Sequence, residues 1–352
     1  MINQKNEKVH QRRKRYKGTH PTKYSQKYKE HNPEKYHDTI EKIMHKGNTP
    51  AGMHRSICVN EILDFLDIKE GQKGLDATLG YGGHSLEILK KLNKTGHLYA
   101  LDADPIELNK TKKRLQNLGS DQNLLTILNI NFEDIDYLGS EYGLFDFVLA
   151  DLGLSSMQID NPKRGFTYKA DGPLDLRLNP TQGISAAMRL RELSKDEIEG
   201  MLIENADEPY AKEIASEIIK SYGQGLMINT TKEFFDVIKK ALSFLPKQDR
   251  DQLIKKSAQR TFQALRIDVN HEFDVLYHFL EKLPHILKPN GKVAILSFHS
   301  GEDRLVKKSF KYFKNQGLYQ HITDAPIRPS LKEQFDNPRS KSAKLRWAIR
   351  SN

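Results

Sequence analysis

Internal disulfides are out of reach for this chain. Its only cysteine, Cys58, has no second thiol to pair with. One thiol is also too few for a thiolate metal site, so Cys58 reads as a small, half-buried hydrophobe. No stretch approaches the roughly 18–20 apolar residues that cross a bilayer. The N-terminus also lacks the apolar core of a signal peptide, and these two absences point to the cytoplasm. The histidines show no ligand spacing, so no metal is expected. What remains is a chain of 352 residues with 37% apolar content, enough for two domains or for one domain with an insertion and a tail.

Positive charge is abundant but unevenly placed. The net charge is +10, and residues 1–47 hold thirteen Lys and Arg against five Asp and Glu. The rest of the chain is therefore close to neutral. The segment is rich in His and Tyr, poor in aliphatic residues, and carries a near-repeat, Pro21-Thr22-Lys23-Tyr24 and Pro33-Glu34-Lys35-Tyr36. It cannot bury a core of its own, so residues 1–50 are expected to be a largely disordered basic arm. Such an arm suits a polyanion; Tyr16, Tyr24, Tyr28 and Tyr36 are either solvated or stacking platforms for RNA bases.

From Ser56 the pattern becomes globular. Ser56–Leu66 has helical spacing, and Gly74–Ala77 reads as a strand running into the glycine-rich stretch Thr78-Leu79-Gly80-Tyr81-Gly82-Gly83-His84 and a helix Ser85–Leu92. Gly96–Asp102 is a second strand, and Pro105 opens a helix at the position where proline is best tolerated. Leu124–Ile130 and Phe145–Asp151 read as third and fourth strands. Strands alternating with helices imply a parallel sheet covered on both faces. Between Leu152 and about Gln259 the rhythm breaks into Gly/Pro/Asp-rich loops and helices (Ser194–Asn205, Tyr210–Ser221, Lys232–Phe244). It resumes with a helix Thr261–Leu287 and strands Lys292–Phe298, Tyr319–Thr323 and Leu345–Arg350. An inserted helical domain, 161–259, inside an α/β domain formed by 51–160 and 260–352 accounts for this order.

The strand, glycine loop and helix at Asp76–Gly83 suit a nucleotide, since glycines admit close backbone approach and a helix N-terminus favours negative charge. Asp102 ends the second strand, 26 residues after Asp76, where an acid can accept hydrogen bonds from two ribose hydroxyls. Its alternative role is a helix cap. Phe132 lies either against an adenine face or in the core, and Asp151 ends the fourth strand at the sheet's switch point. A nicotinamide enzyme would share the ribose logic, but the pyrophosphate fingerprint is missing.

Several blocks, in order from about His54 to Arg350, resemble those of the MraW/RsmH family. They are Asp76–Ser85, Asp151-Leu152-Gly153-Leu154-Ser155-Ser156-Met157-Gln158-Ile159-Asp160, Arg164-Gly165-Phe166, Asp171–Arg177, Arg260–Ile267 and Asn337–Arg346. The resemblance implies a Rossmann-like class I methyltransferase sheet and S-adenosylmethionine as cofactor. It further implies methylation of the exocyclic N4 of a decoding-centre cytosine in 16S rRNA, as free RNA or in the small ribosomal subunit. It places cofactor contacts on Gly82, Gly83, His84, Asp102, Phe132, Asp151 and Gln158; His84 and Gln158 come from the resemblance alone. The chain departs from the family at Arg55-Ser56-Ile57, at Gly301 where leucine is usual, and in its longer basic tail, which suggests a divergent branch or paralogue.

A cytosine amine is a poor nucleophile because its lone pair is delocalised into the ring. The site must orient it and stabilise the positive charge that develops on nitrogen. Asp151 is the first candidate for this, with Ser155, Ser156 and Asp171 behind it. Arg164, Arg177, Arg260, Arg266 and His299 fall in the family's blocks and, as a group, suit the phosphates around a base turned out of its stack. Each alone is equally well a structural ion pair. A non-catalytic RNA-binding or assembly factor on the same scaffold is the alternative function. The oligomeric state, monomer or homodimer, stays open.

Overall fold

The computed structural model describes residues 56–118 and 122–352. The basic arm expected at 1–50 lies outside the described residues. The described residues belong to one compact unit.

The chain enters through α1 (Val59–Leu66) and then alternates: β1 (Lys73–Asp76), α2 (Gly83–Leu92), β2 (His97–Leu101), α3 (Pro105–Asn117), β3 (Leu125–Leu128), α4 (Ile135–Tyr142), β4 (Phe145–Asp151). After the short α5 (Ser156–Asp160) come five helices: α6 (Ala186–Glu192), α7 (Lys195–Ala206), α8 (Ala211–Gly223), α9 (Thr231–Ala241) and α10 (Arg250–Val269). The chain then returns through α11 (Glu272–Ile286), β5 (Leu287–Ser297), α12 (Ser300–Asn315), β6 (Tyr319–Ile322), α13 (Leu331–Asp336) and β7 (Lys344–Arg350).

One seven-stranded sheet results, in the order β3-β2-β1-β4-β5-β7-β6. The first five strands are parallel, and β7 runs antiparallel to both β5 and β6. This is the class I methyltransferase sheet that the block pattern implies. Its strands are apolar on both sides because helices cover both faces. Along β4, Val148 and Ala150 join the core under α11 and α12, whereas Phe147 and Leu149 join the core under α1 and α2. A third apolar cluster, from Leu174 to Leu265, belongs to the helices between β4 and β5. Among the described residues between Leu152 and Gln259 the only β-pairing is an isolated bridge, Pro173 to Thr230.

One expected element is divided. The helix read at Thr261–Leu287 is two helices, α10 and α11, separated at Asn270 and His271. His271 takes left-handed backbone angles (φ 49°). The Asn270 side chain leaves the helix axis to accept the Leu178 N–H at 2.7 Å and to donate to the Leu176 carbonyl at 2.8 Å. An asparagine that satisfies a neighbouring loop in this way offers the backbone an exit from the helix. α10 starts before Thr261, and its Ile254, Ala258 and Phe262 pack into the helical cluster, which thus continues past residue 259.

Candidate active site at the switch point

In open parallel sheets ligands bind outside the carboxyl ends of the strands, where the order reverses. Here that point lies between β1 and β4, and it gathers Asp76, Asp102 and Asp151. Asp76 is buried; it accepts the Ser85 hydroxyl at 2.6 Å and the Thr78 N–H at 3.1 Å, and burial pushes its carboxyl up. It organises the loop rather than facing a ligand.

Asp102 follows β2. One carboxylate oxygen accepts the Gly80 N–H and the other the Asp104 N–H, both at 2.8 Å. Each oxygen keeps a second lone pair for another donor. Burial pushes this carboxyl up to about 7, and repulsion from Asp104 and Asp76 adds to the rise. The helix-cap role belongs to Asp104, not to Asp102: Asp104 Oδ1 accepts the N–H groups of Ile106 at 2.9 Å and Glu107 at 3.2 Å.

His84 sits in the first turn of α2, buried, with Nε2 3.4 Å from Asp151 Oδ2. Burial works against the imidazolium, but Asp151, Asp76 and Glu333 outweigh it, and the pKa of His84 is raised. The Asp151 N–H is held by the Thr78 hydroxyl at 2.6 Å. His84 Nε2 and Asp151 Oδ1 are both buried without a well-formed hydrogen bond. Buried polar atoms of this kind are rare in native structures and call for a partner. They adjoin Asp102 through the Gly80 loop, so the donors and acceptors present fit a ligand with hydroxyls at one end and N–H groups at the other.

The glycines of the loop have more local reasons. Gly82 has φ +74°, and a Cβ there would press on Thr111; a Cβ on Gly83 would collide with the Ser56 hydroxyl. Phe132 is half-buried, its ring edge-on to Phe279 with centroids 5.0 Å apart, so part of it is core packing and part faces outward. Gln158 is buried with both ends of its amide engaged. It donates to Asp104 Oδ2 at 2.8 Å and accepts the Ser155 N–H at 2.9 Å. Ser155 caps α5, accepting the Gln158 N–H at 3.2 Å, and Ser156 is buried beside it. Asp171 is not brought to this cluster: it is exposed, and it accepts the N–H groups of Gly172 at 3.0 Å and of Lys232, at the start of α9, at 3.3 Å.

Four of the five residues expected to meet phosphates have partners within the fold. Arg164 is buried and donates to Asp104 Oδ2 at 2.7 Å and to the carbonyls of Arg177 and Leu178 at 3.0 and 2.8 Å. Arg177 forks onto Asp175 at 2.7 and 2.8 Å, and Arg266 onto Glu272 with both bonds at 2.8 Å. His299 caps α12 and lies against Glu302, Nε2 to Oε1 2.8 Å. A planar guanidinium matches a carboxylate as well as it matches a phosphate, and here carboxylates are the nearer anions. Arg260 is half-buried with no ion pair among the described residues.

Residues 51–351 match the MraW methylase family. The chain belongs to that family. Among curated relatives, ribosomal RNA small subunit methyltransferase H 1 of Lachnoclostridium phytofermentans is 62% identical over 98% of this chain and 94% of its own length. Ribosomal RNA small subunit methyltransferase H 2 of Alkaliphilus metalliredigens is 60% identical over 98% of this chain and 99% of its own. Ribosomal RNA small subunit methyltransferase H of Koribacter versatilis is 40% identical over 84% and 94%. A match across 98% of 352 residues takes in most of residues 1–50.

Within this MraW-family site, two contributors were not singled out from sequence. Asp104 joins the α3 cap, Gln158 and Arg164 in one buried hub, and Thr78 fixes the Asp151 backbone. The signal for Asp104 was present: an acid immediately before Pro105 is a helix-start signature. Thr78 carries no signal of its own, because its hydroxyl matters only once β1 and β4 lie side by side.

Proposed function

We propose that this MraW-family methylase transfers a methyl group from S-adenosylmethionine to the exocyclic N4 of a cytosine in small-subunit rRNA, in the cytoplasm. The observation that carries the reading is the pairing of buried His84 with the half-exposed Asp151, with acceptor capacity at the end of β4 beside the Gly80–Asp102 loop. The curated relatives' names supply the substrate class.

S-adenosylmethionine supplies an electrophilic methyl on a sulfonium. Asp102 takes the ribose hydroxyls on the spare lone pairs of its two oxygens, and the outward part of Phe132 lies against the adenine. Gly82 and Gly83 set the loop, and His84 at the start of α2 orients Asp151. The Asp151 carboxylate accepts an N–H of the target amine and stabilises the charge that grows on nitrogen as the new bond forms. No strong base is required, since the proton leaves a nitrogen that is already cationic. Ser155, Ser156 and Gln158 hold the wall of the site as a capped helix rather than take part in transfer.

The test is mass spectrometry of nucleosides from small subunits incubated with the enzyme and cofactor, with mapping of any methylated cytosine. Asp151→Asn should lower kcat by about 10²–10³-fold, the usual cost of removing one such stabilising group, with subunit binding retained. Cofactor binding without transfer to naked or assembled rRNA would instead favour a non-catalytic assembly factor.

A further inference from the structure

Arg164, Arg177 and Arg266 each have a carboxylate partner within the fold, whereas α12 presents a row of cations without one among the described residues. Its two acids both face the protein. Glu302 accepts the Phe298 N–H at 2.8 Å, and Asp303 binds Lys344 at 2.8 Å and Arg346 at 2.7 Å. Its cations Arg304, Lys307, Lys308, Lys311 and Lys314 are all exposed, and none forms an ion pair or hydrogen bond among the described residues. At 3.6 residues per turn they fall on one stripe roughly 120° wide and about 15 Å long. The stripe is opposite the buried Glu302 and Val306.

Cations spaced three and four apart on a helix repel one another, and no acid on the outer face relieves them. A polyanion would. The stripe begins where the chemistry is: α12 starts three residues after β5 ends, and Leu296 of β5 pairs with Asp151 of β4. Tyr312, 58% exposed at the edge of the stripe, adds a face on which an unpaired base can stack.

We propose that the outer face of α12 is a phosphate track, with Arg304, Lys307, Lys308, Lys311 and Lys314 holding the rRNA backbone as it leaves the target nucleotide. This rests on the RNA-substrate reading above and specifies where that substrate lies.

The experiment compares full-length wild type with the triple variant K307Q/K308Q/K311Q. A second triple, K91Q/K112Q/K113Q, removes the same charge from exposed positions on α2 and α3. Affinity for a small-subunit rRNA fragment is measured across a salt series, together with cofactor affinity and methyl-transfer kinetics on subunits. At about 0.7 per single-strand phosphate, the α12 triple should flatten the logarithmic salt slope by roughly 2 and raise KM. Its kcat and cofactor affinity should stay at wild-type values, and the control triple should leave the slope unchanged. An unaltered slope and KM in the α12 triple, or an equal flattening in the control, overturns the track. If wild type transfers no methyl to rRNA, the functional reading fails, while the salt series on the fragment still decides the track.

Discussion

At the scale of single residues, the carboxyl of Asp102 ties cofactor binding to pH. Its pKa stands at about 7 because the surrounding protein disfavours the charged form. Hydroxyl donors bind the ionised form better, so affinity for S-adenosylmethionine should rise as pH passes from 6 to 8, approaching tenfold per unit below the pKa. Stability moves the other way. The folded carboxyl holds its proton more tightly than the unfolded one at 3.8. This group's contribution to folding is therefore fully present below about pH 4 and is lost as pH rises through about 7. Asp102→Asn should remove the pH dependence of binding and cost about 1.5–3 kcal/mol of cofactor affinity, the range for hydrogen bonds to a charged group. Calorimetry at pH 6, 7 and 8 on both proteins reads this; a wild-type affinity that ignores pH would take Asp102 out of the ribose contact.

Between elements, Arg164 fastens the α3 cap to α5 and to the 177–178 loop that leads into the helical cluster. Removing one partner of a buried pair costs about 3–5 kcal/mol, because the other charge is left uncompensated. Arg164→Met should therefore lower the urea midpoint sharply without altering the salt dependence of RNA binding. A phosphate-binding arginine would do the reverse. The contrast marks what a sequence can carry. β4 was legible to the residue, because Phe145–Asp151 is apolar but for Asp146 and is closed by an acid; the other six strands and helix α7 were legible in place, with ends that differ by up to five residues. Residue types drew Arg164 and Arg266 toward RNA, but whether a guanidinium meets a carboxylate first depends on Asp104 and Glu272, and no spacing rule brings Asp104 beside Arg164. The break at Asn270 was hidden for a similar reason. Its cause is a hydrogen-bonding partner at Leu176 and Leu178, roughly ninety residues away. α12 was missed although Val306, Phe310 and Phe313 recur at helical spacing behind two acids, a pattern overshadowed by the strand before it.

Across the whole molecule, residues 1–47 hold a net +8 and the remainder a net +2, and within that remainder α12 carries five exposed cations on its outer face. The arm holds almost no core-forming residues, and the core is complete from α1 onward, so the arm should add affinity for RNA and not stability. If it neutralises about five phosphates, deleting residues 1–47 should flatten the logarithmic salt slope by about 3–4. Thermal stability and S-adenosylmethionine affinity should hardly change. Two independent footprints make a further demand: effects at sites with no shared partner add. The arm deletion combined with K307Q/K308Q/K311Q should therefore flatten the slope by the sum of the two, roughly 5–6 units. A combined loss no larger than that of the deletion alone would mean that the arm and α12 compete for the same phosphates. An arm deletion that leaves the slope where it was would make the segment a solvated spacer and assign the whole electrostatic footprint to the folded domain.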